Sequence, residues 1–336
     1  MTAIAPTEIS TTSSPFSVSG KTAIVTGAGS GINLSFAALL LSRNCNVVFA
    51  DLSLRPEAEA LVAKYSDAAS SPRAVFVKTD VTSWPALSNI FSATLSEFGD
   101  VDIVCPGAGV YEPHWSNFWH PPGSSEAKDA IDGEPGHYAL LDINLNHPIR
   151  VTQLALSHWL HPPPGRAAVS PSNPKRVVHI GSVAGYVPNF NAPLYGASKF
   201  GITGFVRSLA PLDDKHGIRV NAVAPGVVRT PLWLEHPEKM VNLETADGWV
   251  TPDEVAVAML QCAEDSDLVG GTIFEVGKDN ARSVQTFNDP GPDRDPKKGL
   301  ITRNSKNGHD MVWTWLQDKF NLSLMLLRFI KNLWNS

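Results

Sequence analysis

The sequence predicts an α/β fold, with a doubly wound parallel sheet of seven strands between two layers of helices in one three-layer αβα domain. From residue 20 onward, short apolar runs rich in β-branched residues alternate with segments of helical spacing. Such alternation is typical of a parallel sheet that is covered by helices on both faces. The apolar runs are continuous, as expected for parallel strands that are buried on both sides.

Seven strands and six helices are predicted along the chain. The strands are predicted at residues 21–27, 46–51, 74–80, 101–109, 176–182, 218–226 and 270–277, and the helices at 33–43, 55–66, 84–99, 138–160, 195–210 and 251–265. The last helix opens with a capping pattern, in which Thr251 is the N-cap, Pro252 the first helical residue and Glu254 the third. Two loops interrupt the alternation, an insertion rich in Pro, Gly and aromatic residues at 112–137 and a second loop at 161–175.

The regular alternation covers only part of the chain. We expect a flexible N-terminus at 1–17, a folded domain at 18–280 and a solvated linker at 281–310. Residues 311–336 are predicted to form an amphipathic C-terminal helix, because large apolar side chains recur there at three- and four-residue steps. Charged residues within this segment exclude a simple membrane span. Its apolar stripe must pack against another surface. Three candidates stay open: its own domain, a sister subunit and a membrane surface.

Composition narrows the class of protein. The 336 residues are 43% hydrophobic and 18% charged, as in soluble globular proteins. A net charge of -6 argues against a nucleic-acid surface, since no basic excess is present to meet phosphates. Three widely spaced cysteines predict neither a disulfide framework nor a metal site, so a reducing compartment, the cytoplasm, is expected. No secretory signal is expected, because the first twenty residues lack a basic segment followed by an apolar stretch.

A glycine-rich turn follows the first predicted strand and opens the first helix. In "TGAGSGIN", residues 26–33, glycines allow the backbone to turn sharply and to approach a pyrophosphate. The free N–H groups and the positive dipole end of the helix N-terminus favour that anion. Gly27, Ser30, Gly31 and Ile32 are therefore predicted to bind a dinucleotide, which makes the fold Rossmann-type.

Further candidates lie where other strands end. Asp51 ends the second strand, where a carboxylate accepts hydrogen bonds from both ribose hydroxyls and repels a 2′-phosphate, so NAD is favoured over NADP. Asp80 ends the third strand and Val81 follows it, in reach of the adenine. Gly107 lies in the small-residue segment that ends the fourth strand, where the cofactor needs room. All of them lie at the carboxyl edge of the sheet, where open α/β sheets bind ligands.

Three polar residues complete the pattern. Ser182 follows the fifth strand, thirteen residues before Tyr195, and Lys199 lies four residues after Tyr195, on the same helix face. The order TGxxxGx, Asn, Ser, Tyr-x-x-x-Lys and Pro-Gly resembles the short-chain dehydrogenase/reductase family over about residues 18–280. "LDINLNHPIRVTQLAL" and "GSVAGY" look most like fungal members related to 15-hydroxyprostaglandin dehydrogenases. Residues 18–280 are then expected to form an NAD-binding catalytic domain.

The resemblance implies a role for each of these residues. Tyr195 is the general acid/base. Because free tyrosine titrates near pH ~10, the charges of Lys199 and of an oxidised nicotinamide are expected to lower its pKa. Ser182 hydrogen-bonds the substrate oxygen and orients the substrate, and Lys199 also binds the nicotinamide ribose. Asn144, in "DINLN", matches the asparagine that holds a water in the proton path to the lysine.

The segment after the sixth strand also resembles the family. The Val228 backbone and Thr230 are expected to bind the nicotinamide carboxamide. Residues 231–250 correspond to the substrate lid, and their apolar side chains favour an apolar substrate. These side chains are Trp233, Leu234, Met240 and Trp249.

Two departures from the family pattern stand out. Asn33 replaces the third glycine of the phosphate-binding turn, so a slightly wider turn is expected. The usual Asn-Asn-Ala-Gly is Pro-Gly-Ala-Gly at 106–109, so weaker bracing between neighbouring strands is expected.

The sequence thus favours an NAD-dependent oxidoreductase that interconverts a secondary alcohol and a ketone on a small apolar metabolite. Fungal secondary metabolism is one setting for it. The alternatives are an NADPH-dependent ketoreductase, a cyclase or isomerase on the same fold, and a nonenzymatic dinucleotide sensor. A homodimer or homotetramer is expected through the helix of Tyr195, which carries small residues at Gly196, Ala197, Gly201 and Gly204. No metal is expected.

Overall fold

One sheet organises the computed structural model of the chain, which describes residues 16–133, 136–162, 165–235 and 248–285. The strands in these residues are β1 (Thr22–Thr26), β2 (Asn46–Asp51), β3 (Ala74–Lys78), β4 (Ile103–Pro106), β5 (Lys175–Ile180), β6 (Ile218–Pro225), β7 (Ile273–Gly277) and β8 (Asn280–Ser283). Their order in the sheet is β3-β2-β1-β4-β5-β6-β7-β8. β1 to β7 run parallel, and β8 is antiparallel to β7. The order reverses direction at β1, which is the doubly wound arrangement.

The predicted α/β class is confirmed, with one strand more than the seven predicted. The residues of β8 are all exposed and show no apolar run, so the sequence carries no strand signal there. The first residues assigned to the linker at 281–310 therefore belong to the sheet. The rest of that linker, the helix at 311–336 and residues 1–15 lie outside the described residues, so the domain boundaries stay predictions.

Helices cover the sheet. They are α1 (Gly31–Ser42), α2 (Pro56–Lys64), α3 (Trp84–Phe98), α4 (Ala139–Leu141), α5 (His147–Leu160), α6 (Pro193–Ser208), α7 (Pro211–His216), α8 (Pro231–Leu234) and α9 (Pro252–Glu264). A π-helical turn, Asp142–Asn146, joins α4 to α5. The apolar faces of α1 and α9 pack together through core residues such as Phe36, Leu40 and Met259. The predicted capping box of α9 is confirmed, since Thr251 Oγ1 accepts from Glu254 N at 3.2 Å and Glu254 Oε2 accepts from Thr251 N at 2.6 Å.

A buried ion cluster ties the strands together at the end of the sheet opposite their carboxyl edge. Lys175, only 2% exposed, donates to Asp102 at 2.7 Å and to Asp100 at 3.1 Å. Asp102 also accepts from the backbone N–H of Thr22 at 3.1 Å, so β1, β4 and β5 meet in this cluster. Burial alone would raise the pKa of Asp100, but the hydrogen bond from His158 and the charge of Lys175 lower it well below its usual range.

The described residues belong, except for Gln285, to one compact unit. All three cysteines lie within them, buried and without disulfide bonds. Within the described ranges, no helix combines the length and the apolar character needed to cross a bilayer.

Candidate active site

A cavity of about 470 Å³ opens at the carboxyl edge of the sheet, above the point where the strand order reverses. Its walls come from the ends of neighbouring parallel strands and from the loops that follow them, which places residues far apart in sequence around one space. All residues predicted to bind the cofactor line it: Gly27, Ser30, Gly31, Ile32, Asp51, Asp80, Val81, Gly107, Tyr195, Lys199, Val228 and Thr230. Ser182 lines it as well, whereas Asn144 does not.

The glycine-rich turn presents the N-terminus of α1 to this cavity. Gly27 has φ +73°, a left-handed conformation that a side chain disfavours, and a Cβ there would lie 2.7 Å from Ala108 Cα. Within the described residues, the Ser30 side chain does not cap α1. The first N–H groups of the helix are therefore available to an anion in the cavity. This cradle fits the pyrophosphate of a dinucleotide.

Asp51 has a structural contact as well as a place in the cavity wall. Its Oδ2 accepts from Gly29 N at 2.8 Å, and its Oδ1 accepts from Leu52 N at 2.7 Å. The carboxylate thus fixes the glycine-rich turn to the end of β2. Each oxygen has a second lone pair, so these bonds leave capacity for ribose hydroxyls. Asp80, the other predicted acid, accepts from the backbone and hydroxyl of Thr82.

The two departures from the family pattern compensate for each other. Asn33, 8% exposed, lies against Gly107, where an added Cβ would be 2.1 Å from Asn33 Oδ1. The carboxamide of Asn33 therefore fills the space that a side chain at position 107 would take. The same carboxamide lies 3.0 Å from the place of a Cβ on Gly27, and it accepts a weak bond from the Cys105 thiol at 3.8 Å. The contact between turn and β4 loop stays close, so the structure gives no support to the wider turn expected.

We expect Gly107→Ala to weaken the domain, because its methyl group collides with the Asn33 carboxamide. The loss in free energy of unfolding should be about 1–3 kcal/mol, as for overpacking, measured by urea denaturation. In the double variant Asn33→Gly/Gly107→Ala the collision is gone, and most of that loss should return. A double variant as unstable as Gly107→Ala alone would show that the strain lies elsewhere.

Ser182, Tyr195 and Lys199 meet at the same edge. Ser182 follows β5, and Tyr195 and Lys199 project from neighbouring turns of α6. Ser182 lies close enough to the Tyr195 phenol to lower its pKa in part. Lys199 Nζ lies 5.5 Å from the centre of the Tyr195 ring and donates to the carbonyl of Ile180 at 2.8 Å. The structure thus brings the three predicted side chains together.

In the chain alone the pKa of Tyr195 is raised, whereas the expected lowering depends on Lys199 together with an oxidised nicotinamide. Burial raises the pKa of Tyr195 to about 12, and the hydrogen bond from Ser182 opposes this only in part. Burial also lowers the pKa of Lys199 to about 8. The Lys199 amine is directed to the Ile180 carbonyl, so in the chain alone its charge does not bring the phenol into the neutral range.

Asn144 does not line the cavity, in contrast to Ser182, Tyr195 and Lys199. It lies in the π-helical turn, buried, where Nδ2 donates to Val110 O at 2.8 Å and Oδ1 accepts from Val110 N at 2.9 Å. Its side chain thus braces the loop after β4. The predicted water in a proton path stays a prediction, and Oδ1 keeps a second lone pair that could accept from it.

Sequence reasoning missed a cation in the cavity. Arg55, four residues after Asp51, lines the wall and forms a double hydrogen bond with Glu235, at 2.7 and 2.6 Å. The cavity wall near Asp51 therefore holds a cation as well as a carboxylate, which the preference for NAD did not take into account. The guanidinium is already paired with a carboxylate from the end of α8. Neither residue lies in a recognisable motif, and 180 positions separate them.

A series of aromatic contacts runs from Tyr195 through Tyr111 to Trp233. Tyr111 contacts Tyr195 edge to face, with ring centres 4.8 Å apart, and lies 4.8 Å from Trp233 of α8. Trp233 lines the cavity, as expected from its place in the lid segment, and Leu234 is half exposed. Residues 236–247, which include Met240, lie outside the described residues.

Comparison with known proteins agrees with this geometry. A family model described as short chain dehydrogenase matches residues 21–240. The chain is 30% identical to 15-hydroxyprostaglandin dehydrogenase [NAD(+)] of Rattus norvegicus, over 77% of this chain and 91% of the relative. It is 31% identical to a short-chain dehydrogenase/reductase of Penicillium rubens, over 62% of this chain and 71% of the relative.

A solved structure gives the same fold. A short-chain type dehydrogenase/reductase from Mycobacterium marinum superposes with a TM-score of 0.63 at 20% identity, covering 77% of this chain and 95% of that one. The resemblance inferred from the motifs is confirmed. The chain therefore belongs to the short-chain dehydrogenase/reductase family, oxidoreductases that bind NAD or NADP and act on hydroxyl groups.

Proposed function

We propose that this protein is an NAD-dependent dehydrogenase that interconverts a secondary alcohol and a ketone. One observation carries the proposal: Ser182, Tyr195 and Lys199 line the same cavity as the glycine-rich cradle at the N-terminus of α1. An acid/base group and a dinucleotide site in one space permit hydride and proton transfer on one substrate.

Three side chains share the chemistry of this reaction. Tyr195 takes the hydroxyl proton of the alcohol as hydride leaves the carbon. Ser182 orients the same oxygen by a hydrogen bond. When bound, an oxidised nicotinamide supplies the hydride acceptor and a positive charge. Because burial holds the pKa of Tyr195 at about 12 in the chain alone, positive charge in the cavity and on Lys199 is what favours the phenolate.

The substrate we propose is a small apolar alcohol or ketone. Trp233 lines the cavity and contacts Tyr111, which in turn contacts the ring of Tyr195. Aromatic rings bind apolar groups. A place in fungal secondary metabolism fits the likeness to a Penicillium rubens relative. An NADPH-dependent ketoreductase, a cyclase or isomerase, and a dinucleotide sensor remain the alternatives.

A panel of apolar secondary alcohols tests the proposal. We expect at least one to give NADH, detected by absorbance, at a rate that saturates with alcohol. NADPH consumption with the matching ketones would identify the ketoreductase. A product formed with no net change in cofactor would identify the cyclase or isomerase. Tight NADH binding with no turnover of any compound would favour the sensor.

Asp51→Ala should narrow the preference for NAD over NADP. The change removes an acceptor for the ribose hydroxyls and a charge that repels a 2′-phosphate. We expect the ratio of kcat/KM values to fall by about 10-fold or more, equivalent to about 1.4 kcal/mol. Asp51→Ala/Glu235→Gln should narrow it further, because Arg55 then loses its carboxylate partner.

Glu235→Gln alone is the control for cofactor choice. With Asp51 in place, the preference should stay within about 3-fold of the parent, since an exposed ion pair contributes little by itself. A parent enzyme that already prefers NADP would contradict the role assigned to Asp51.

We also propose a homodimer or homotetramer in the cytoplasm. Ala197, Phe200 and Gly204 form an exposed strip on α6 that permits close approach of a second copy. Gly201 does not belong to this face, because a Cβ there would lie 2.8 Å from Leu145 of the same chain. Peripheral membrane contact through 311–336 stays a further proposal.

Truncation after Gln285 should leave NADH binding intact, since every predicted cofactor residue precedes it. Sedimentation of full-length and truncated protein, with and without liposomes, then assigns the apolar stripe at 311–336. The cut is placed after β8, so the sheet keeps its last strand. Loss of NADH binding would show that the tail belongs to the catalytic domain.

A further inference from the structure

The insertion at 112–137 reaches the acid/base residue through a buried carboxylate. Glu112 is 6% exposed, and its Oε2 accepts from the backbone N–H of Tyr195 at 2.9 Å. Its Oε1 accepts from Phe118 N at 3.0 Å, within the insertion. One side chain therefore joins the insertion to the residue on which the proposed chemistry depends.

The start of α6 explains why this contact matters. The N-cap is Ala192, which has no side-chain acceptor, and the first helical residue is Pro193. Tyr195, the third helical residue, thus has one of the N–H groups that the helix itself cannot satisfy. Glu112 supplies the missing acceptor from 83 positions away. A carboxylate at a helix N-terminus also interacts favourably with the dipole, and such charge-assisted bonds are stronger than neutral ones.

The insertion is itself firmly anchored, by a second buried carboxylate. Asp129, 7% exposed, accepts from Ser116 Oγ at 2.7 Å and from Ala139 N at 2.9 Å. Ser116 Oγ in turn accepts from Leu140 N at 3.0 Å. Asp129 thus connects the insertion to the start of α4. The two hydrogen bonds described here join it to Ser116 and Ala139, neither of which belongs to α6.

We propose that Glu112 is a positioning residue that fixes the Tyr195 backbone, and with it the direction of the phenol. The proposal rests on the proposed function, in which Tyr195 is the acid/base. Tyr111, next to Glu112, holds the Tyr195 ring from the side, so the backbone and the ring of Tyr195 are both held by consecutive residues. A reacting group displaced by about 1 Å loses up to ~100-fold in rate, so the hold on Tyr195 affects turnover more than cofactor binding.

Variants of Glu112 test this assignment against a matched control. With the best alcohol of the panel, Glu112→Ala should lower kcat by about 10-fold or more, with KM for NAD within about 2-fold of the parent. Glu112→Gln keeps one acceptor and should retain most of kcat. Asp129→Ala removes an equally buried carboxylate of the insertion and should leave kcat within about 3-fold.

Amide hydrogen exchange of the peptide 193–199 gives a readout that needs no substrate. Exchange should be faster than in the parent for Glu112→Ala, less so for Glu112→Gln, and unchanged for Asp129→Ala. If Glu112→Ala does not fold, Glu112→Gln decides, because its neutral oxygen is a weaker acceptor for the Tyr195 N–H than the carboxylate is: faster exchange supports the proposal and parent-like exchange overturns it.

Other outcomes also separate the two proposals. An equal loss of kcat in Asp129→Ala would overturn the role of Glu112, because folding of the insertion would then explain both. An unchanged kcat in a folded Glu112→Ala would overturn it as well. If the parent makes no NADH from any alcohol, the proposed function fails, and exchange at 193–199 still decides whether Glu112 holds Tyr195.

Discussion

Tyr195→Phe should lower turnover by at least about 100-fold, the size of a lost general acid/base. The change removes the ionisable hydroxyl and keeps the ring, so the edge-to-face contact with Tyr111 survives. Binding of NADH, followed by its fluorescence, should stay nearly intact, because the cradle at Gly27 to Ile32 is untouched. The kinetic and binding measurements together distinguish lost chemistry from a lost site.

Tyr111→Phe is the matched control for this variant. It removes a hydroxyl from a ring whose centre lies 4.8 Å from that of Tyr195, together with a hydrogen bond from Asn189 Nδ2 at 3.3 Å. Its turnover should stay within about 10-fold of the parent, because one neutral hydrogen bond contributes only about 1 kcal/mol. Tyr195→Phe with turnover in the same range would remove Tyr195 from the mechanism.

Asp102→Ala should destabilise the domain by about 3 kcal/mol or more, the usual cost of removing one partner of a buried ion pair. Lys175, 2% exposed, would keep only Asp100, whose side chain is 42% exposed, and the N–H of Thr22 would lose its acceptor. Urea denaturation at neutral pH measures the change. Cofactor binding by the folded fraction should persist, since the cluster lies at the opposite end of the sheet.

Glu97→Ala is the comparison for the ion cluster. It removes an exposed pair with Arg73 and should cost at most about 1 kcal/mol. If Asp102→Ala lowers the free energy of unfolding no more than Glu97→Ala does, the ion pair of Lys175 with Asp102 does not stabilise the domain as expected.

The stability that Asp100 contributes should depend on pH. Because the pKa of Asp100 is depressed in the folded chain, this contribution is fully present above the ordinary Asp range near pH ~4. That contribution is lost as the pH falls through the depressed value.

Residues at strand ends were predictable from sequence for a simple reason. Gly27, Asp51, Ser182 and Tyr195 follow or face buried apolar runs, and parallel strands bring such positions to one edge of the sheet. Periodicity, together with the residue types at the strand ends, therefore located the cavity. The strand β8 was missed because its residues are exposed and polar, so that only pairing with β7 defines it.

Contacts between distant side chains were beyond the sequence pattern. The pairing of Arg55 with Glu235 and the bond from Tyr195 N to Glu112 join positions that no local spacing connects. The raised pKa of Tyr195 in the chain alone was not predictable from the sequence for a related reason. Spacing places Lys199 on the same helix face, but it does not reveal that the amine is directed to the Ile180 carbonyl.

The fit between Asn33 and Gly107 makes the two positions depend on each other. A Cβ at position 107 would lie 2.1 Å from the Asn33 side-chain oxygen, so any side chain there would displace the carboxamide from its present position. With glycine at both positions, the space that the carboxamide fills would be empty. The effects of substitutions at 33 and 107 on stability are therefore expected to be non-additive: Gly107→Ala should cost more free energy of unfolding when residue 33 is asparagine than when it is glycine.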